Sequence, residues 1–195
     1  MSITIDIAVL CWIAFVVYWA INWKNSKPSK LRPDRKVPLR IIGIAIVTIF
    51  LLYRFLLGKS MRIGPHIMWF LSRPTILPLA VFGDLLTVAG VTVAIIARHT
   101  LADNWSSKPD IKKGHELVTT GVYSVVRHPI YTGMLMMSIG AVCDLQSMVS
   151  LIILAIALVV ILTRIPKEER FMTQTFPDQY PAYKKHTNAL IPFVW

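Results

Sequence analysis

The sequence predicts an all-α fold that crosses a membrane about five times. Three observations lead there. The chain is 55% apolar and 16% charged, against about 25% charged residues in ordinary soluble domains. Its charges lie between long apolar runs rather than within them. Its basic residues rise and fall in number from one intervening stretch to the next.

Five apolar segments carry the helices. Ile3–Trp23 holds one charge, Asp6, near its start. Its length in helix is about 31 Å, close to the hydrocarbon thickness of a bilayer. Its first positive residue is Lys24, so the basic start of a cleavable signal peptide is missing and the segment is expected to stay. Ile41–Leu57 gives about 25 Å, with Arg54 near its end. Ile76–Ala97 contains Asp84. Ile130–Val142 is short, about 20 Å. It either spans obliquely, thins the bilayer locally, or begins below the membrane surface. Ser147–Ile165 follows after Asp144, Leu145 and Gln146 alone, which predicts a tight antiparallel hairpin. Met61–Leu71 reads as an interfacial piece, with Trp69 and Phe70 suited to an aromatic belt.

The basic residues set the orientation. Stretch 24–40 holds seven, 58–75 three, 98–128 five and the tail from Arg164 five. Positive residues favour the cytosolic side, so the N-terminus is expected outside and the C-terminus in the cytosol. Stretches 98–128 and 164–195 then share the cytosolic face, where a water-soluble cofactor would enter. The formal net charge of +11 fits anionic headgroups and topology rather than nucleic acid, since no nucleic-acid module accompanies it. Cys11 and Cys143 lie in apolar segments, with no Cys/His cluster to hold a metal. The 195 residues make one domain. Arg54 and Asp84 either line a polar cavity or act as packing and interfacial residues. Two such residues are few for an ion carrier.

Two polar stretches carry candidate chemistry. His115–Gly133 reads H-E-L-V-T-T-G-V-Y-S-V-V-R-H-P-I-Y-T-G. Its first part, His115–Thr120, is expected to be extended, with a turn at Thr119-Thr120-Gly121. His128 precedes a proline and is biased away from helix. Pro129 suits a first helical position. Pro129, Ile130 and Tyr131 then form a helix start whose amides attract anions. Gly133 lets a ligand or another backbone approach. The second stretch, Arg164–Phe176, is expected to break at Pro166 and begin a new cytosolic helix there. Arg164 and Glu168 sit four residues apart at the membrane boundary.

The pattern H-x-L-V-x-x-G-x-Y-x-x-x-R-H-P-x-Y-x-G, with the later Glu168-Glu169 pair and F-P-D-Q-Y-P-A-Y-K-K, resembles the isoprenylcysteine carboxyl methyltransferase family. The resemblance covers roughly residues 100–195. The length and span count are similar to compact prokaryotic members. It implies a single membrane methyltransferase domain over 1–195, with a two-helix N-terminal part (1–57) and a catalytic part (98–195). It implies S-adenosylmethionine as cofactor and a lipidated cysteine in the bilayer as substrate. By the same resemblance, His115, Glu116, Leu117, Val118, Tyr123, His128, Pro129, Ile130, Tyr131 and Glu168 contact the cofactor. Arg164 takes the substrate carboxylate, and Arg164 and Glu168 are the catalytic pair. Lys108 departs from the family pattern, where animal members carry a glutamine about seven residues before the histidine. A looser version of the motif occurs in phospholipid N-methyltransferases, so lipid-amine methylation is the alternative. A carboxylate is already a nucleophile at neutral pH, whereas a protonated amine needs a base.

Overall fold

The computed structural model describes residues 3–22, 76–105 and 116–192. They form five α-helices: α1 (Ile3–Asn22), α2 (Leu77–Leu101), α3 (Pro129–Leu145), α4 (Met148–Thr175) and α5 (Gln179–His186). No strand occurs among the described residues. The apolar segment Ile41–Leu57, Arg54, Lys108 and His115 lie outside them.

α2 and α3 form the centre. Gly83 and Gly90 on α2 meet Gly140 and Gly133 on α3, in antiparallel register. A Cβ added at Gly83 would lie 2.6 Å from the Gly140 carbonyl oxygen, and one at Gly90 2.6 Å from that of Gly133. The backbones therefore touch directly. Small residues at such a crossing let two helices gain dispersion contact where lipid offers no hydrophobic drive. Ala80, Ala94 and Ala97 extend the small-residue face of α2 and are fully buried. Two hydroxyls here bond along their own helices: Thr87 donates to the Gly83 carbonyl at 2.9 Å, and Ser138 to that of Met134 at 2.8 Å. Neither hydroxyl then needs a partner from the lipid. Of the two approaches allowed at Gly133, the structure uses that of another backbone.

α1 runs parallel to α2. Arg98, near the end of α2, donates to the carbonyls of Asn22, at the end of α1, and of Ala102, at 2.8 and 2.7 Å. Its guanidinium also covers the Trp105 ring, 4.5 Å from the centroid.

The α3–α4 hairpin turns in two residues. Gln146 takes a left-handed conformation, φ 45°. Ser147 caps α4 by accepting from the Ser150 amide at 3.2 Å. Tyr131 and Leu135, early in α3, pack on Ile161 and Ile165, at the middle of the longer α4, so the two helices are antiparallel as expected.

α4 corrects one reading of the sequence. It runs unbroken through Pro166 to Thr175, about 42 Å, rather than ending there. The Pro166 ring lies on the exposed side. Ile161, Ile165 and Glu169 are buried on the other, so packing on both sides of the proline holds the axis and outweighs the missing N–H. Elsewhere α4 is apolar and exposed, through Leu151, Ile152, Ile153, Ile156, Val159 and Val160. A surface of that kind belongs against lipid. Among the described residues, α2 and α4 are long and apolar enough to cross a membrane, and Ile7–Asn22 and α3 are shorter apolar helices.

Candidate active site

The site is assembled where α4 leaves its apolar stretch. Residues 116–119 have no regular structure, and Gly121, at φ 61°, turns the chain. Glycine adopts that conformation without a Cβ clash. The 3₁₀ turn Gly121–Ser124 then buries Tyr123. Its hydroxyl lies 3.4 Å from the Ala97 carbonyl, and its own carbonyl accepts from the Tyr183 hydroxyl at 2.6 Å. Burial holds the Tyr123 hydroxyl well above the ordinary phenol range and pushes Tyr183 up to about 12. Both remain donors at physiological pH.

The chain after α5 straps this region down. The Arg127 amide donates to the Asn188 carbonyl at 2.8 Å and the His128 amide to that of Ala189 at 3.0 Å. Thr132 donates its hydroxyl to the Leu190 carbonyl at 2.7 Å. Val126 and Asn188 form one parallel bridge. α3 then begins with Pro129 at its first position, and His128, at φ −124° and ψ 57°, stays out of the helical region that proline bars to the residue before it.

Two neighbouring carboxylates organise the polar side chains. Glu168 and Glu169 are consecutive on α4, so they point about 100° apart around the helix. Glu168 accepts from the Tyr131 hydroxyl at 2.5 Å and lies 3.3 Å from Arg164 Nη2. Glu169 accepts from Arg127 Nε at 2.8 Å and from Lys184 Nζ at 2.5 Å. The His128 ring sits between them. Its Nδ1 is 3.8 Å from Glu168 Oε2 and its Nε2 3.6 Å from Glu169 Oε1. It also stacks on Tyr131, with centroids 5.8 Å apart. A cleft of about 420 Å³ opens beside Glu169, bordered by Arg127, Ile165, Pro166, Arg170, Thr173 and Lys184.

The structure thus joins Arg164, Glu168, His128 and Tyr131 into one cluster, with Pro129 and Ile130 at the helix start beneath them. Among the described residues, no hydrogen bond or ion pair ties Glu116, Leu117 or Val118 into it. Arg127, Glu169, Lys184 and Tyr183 were not singled out from the sequence. Arg127 and Glu169 stood inside the R-H-P and E-E patterns, each next to a residue that was.

Glu169 lies past the apolar part of α4 and has a consequence for acid stability. Burial alone would raise its carboxyl. Hydrogen bonds from Lys184 and Arg127, with the His128 ring 3.6 Å away, outweigh that and bring it from 4.5 to about 2. A lowered folded-state value stabilises the fold fully above the unfolded value and loses that effect as pH falls through the folded one. Melting temperature in detergent should therefore drop as pH falls from 4.5 toward 2. Glu169→Gln should flatten that part of the profile; an unchanged slope would show that the fold does not use the charge.

Comparison with known proteins points to one family. The model of the isoprenylcysteine carboxyl methyltransferase family matches residues 82–174, the stretch holding the R-H-P-x-Y helix start, Arg164 and both glutamates. Over that stretch, just under half of its length, the chain is similar to the isoprenylcysteine carboxyl methyltransferase family. The protein-S-isoprenylcysteine O-methyltransferase of Saccharomyces cerevisiae is 37% identical over 117 residues, 58% of this chain and 49% of that protein. Protein-S-isoprenylcysteine O-methyltransferase A of Arabidopsis thaliana is 36% identical over 58% of this chain and 59% of its own. The chain thus spans about half the length of these curated relatives. A solved structure of a eukaryotic intramembrane Ras methyltransferase is 21% identical, with a TM-score of 0.63 over 98% of this chain and 65% of that one. The all-helical fold is therefore shared. Lys184 and the strap at 187–190 fall outside the family-model match.

Proposed function

We propose that this protein transfers a methyl group from S-adenosylmethionine to the carboxylate of a prenylated cysteine, at the cytosolic face of a membrane that it crosses five times. The observation that carries the reading is the pairing of Arg164 and Glu168, 3.3 Å apart, where the lipid-facing part of α4 ends. Opposite charges at such a boundary suit two ligands of opposite charge, one arriving from each phase. The parallel course of α1 and α2, and the antiparallel α2–α3–α4 series, support the topology. Ile41–Leu57 would supply the return crossing.

The residues suit the donor. Glu168 is a half-buried carboxylate held by Tyr131, fit to face a cation. The α3 start at Pro129, Ile130 and Tyr131 is fit to face an anion. His115, Glu116, Leu117 and Val118 would line the approach, and Tyr123 would back it. When bound, the donor supplies an electrophilic methyl carbon on a sulfonium. Arg164 would hold one oxygen of the substrate carboxylate and aim the other. An ionised carboxylate needs no proton removed, so the work of these residues is placement and charge compensation. Tyr131 and His128 would keep Glu168 turned from the substrate side, where it would repel the carboxylate.

Tritiated methyl transfer tests the substrate. A farnesylcysteine analogue should be labelled and phosphatidylethanolamine should not. Label on the amine lipid alone would turn the reading to N-methylation, and label on neither would remove it. Calorimetry tests the cofactor site. S-adenosylhomocysteine should bind in the presence of chelator. His128→Ala and Tyr131→Ala should each weaken it about tenfold or more, the scale of a lost hydrogen bond to a charged group. Equal affinity in both variants would remove these residues from the site.

A further inference from the structure

We infer that Glu169 is a positioning residue, which orders the Val126–His128 segment so that His128 and Tyr131 are presented to Glu168. The inference rests on the reading above, in which those three residues form the cofactor side of the site.

The contacts around Glu169 form a closed loop. Glu169 is buried on α4 with 8% of its surface exposed. It receives Arg127 Nε on one oxygen and Lys184 Nζ on the other. The Arg127 guanidinium reaches further, donating Nη1–H to the carbonyls of Thr187 and Lys184. Those carbonyls lie at the C-terminal end of α5, where cations are favoured. Thr187 leads directly into Asn188 and Ala189, whose carbonyls hold the amides of Arg127 and His128. One carboxylate on α4 thus ties α5, the strap and the start of α3 into a single arrangement. The His128 ring, 3.6 Å from the same carboxylate, is the member of the loop that touches the other cluster. Glu168 cannot replace Glu169, since it points elsewhere around the helix and is held by Tyr131 and Arg164. A neutral amide cannot replace it either. It would leave Arg127, whose side chain is 9% exposed, without a countercharge, and a buried unpaired cation rearranges its surroundings.

Hydrogen exchange, calorimetry and kinetics on the full chain in detergent test this. In Glu169→Gln, without any cofactor, the amides of Arg127 and His128 should exchange about tenfold faster. S-adenosylhomocysteine should bind about tenfold more weakly. The KM for a farnesylcysteine analogue should stay unchanged, because Arg164 is untouched. Folded Glu169→Gln with wild-type exchange at both amides overturns the inference. So does faster exchange with wild-type affinity, which would make Glu169 a brace only. If Glu169→Gln does not fold, Arg127→Lys decides. It keeps the charge and loses the fork to the α5 carbonyls, so exchange and affinity should change in the same directions. No change in either overturns the inference. A wild-type protein that binds no S-adenosylhomocysteine would sink the functional reading instead, while the exchange rates still decide whether Glu169 orders His128.

Discussion

Replacing Arg164 by alanine should lower methyl transfer by about 10²-fold or more, while S-adenosylhomocysteine still binds. The size follows from losing a charged group aimed at the reacting carboxylate. The selectivity follows from geometry. Arg164 lies 3.3 Å from Glu168, and Glu168 keeps the Tyr131 hydroxyl at 2.5 Å when the arginine is gone. The cofactor side thus retains its acid. Folding should survive, because the Arg164 side chain is 42% exposed and pairs with Glu168 one helical turn away. Such partly exposed pairs contribute about 0.3–0.5 kcal/mol. A melt in detergent checks this before any kinetics. Glu168→Gln should behave differently, weakening cofactor binding as well as turnover, since the amide carries no charge toward a cation. Loss of cofactor binding in Arg164→Ala with retention in Glu168→Gln would exchange the two roles. Full activity in both would leave the pair a helix-surface ion pair and nothing more.

The second large effect is expected far from the charges. Gly90→Val should abolish the folded state or lower its melting temperature severely. The first added carbon at Gly90 would lie 2.6 Å from the Gly133 carbonyl oxygen and 2.9 Å from the Met137 amide nitrogen. Both are backbone atoms inside a helix and cannot rotate away. Relief requires α2 and α3 to separate, which empties the contact along the whole crossing; overpacking of this sort costs about 1–3 kcal/mol or more. Separation should also reach the site, because Gly133 lies two residues after Tyr131. Gly133→Ala should therefore weaken S-adenosylhomocysteine binding in whatever fraction folds. Val88→Ala is the control: Val88 is exposed on the same helix, and its change should leave the melt near wild type. Equal melts for Gly90→Val and Val88→Ala would show that the helices do not meet as described.

What could be read from the sequence was local. Hydropathy located α1, α2, α3 and the start of α4 to within a few residues, because an apolar run long enough for the bilayer leaves few alternatives; the short polar α5 gives no such signal. The start of α3 was legible because proline and the residue before it act on their own backbone. The end of α4 was not. Pro166 is a strong local signal against helix, and it lost to packing by Ile161, Ile165 and Glu169 on the opposite side, which no local rule sees. The spacing of the interface glycines, seven residues apart on each helix, was visible in the chain, but not which surface each pair would meet. The candidate site divided along the same line. Arg164, Glu168, His128 and Tyr131 were legible from spacing and motif. Lys184 and the strap were not, since Arg127 reaches residues 57 and 60 positions away, a separation that spacing cannot signal.

The strap at 187–190 also sets an order in time. A ribosome delivers His128 about sixty residues before it delivers the carbonyls that hold it. α3 and α4 can pair as soon as their hairpin is made, and α2 can already be in place. The loop beside them must wait for α5 and the residues after it. Scaffold and candidate site therefore take shape in separate stages of synthesis, and a chain stalled between α4 and α5 would hold its helices without an ordered site.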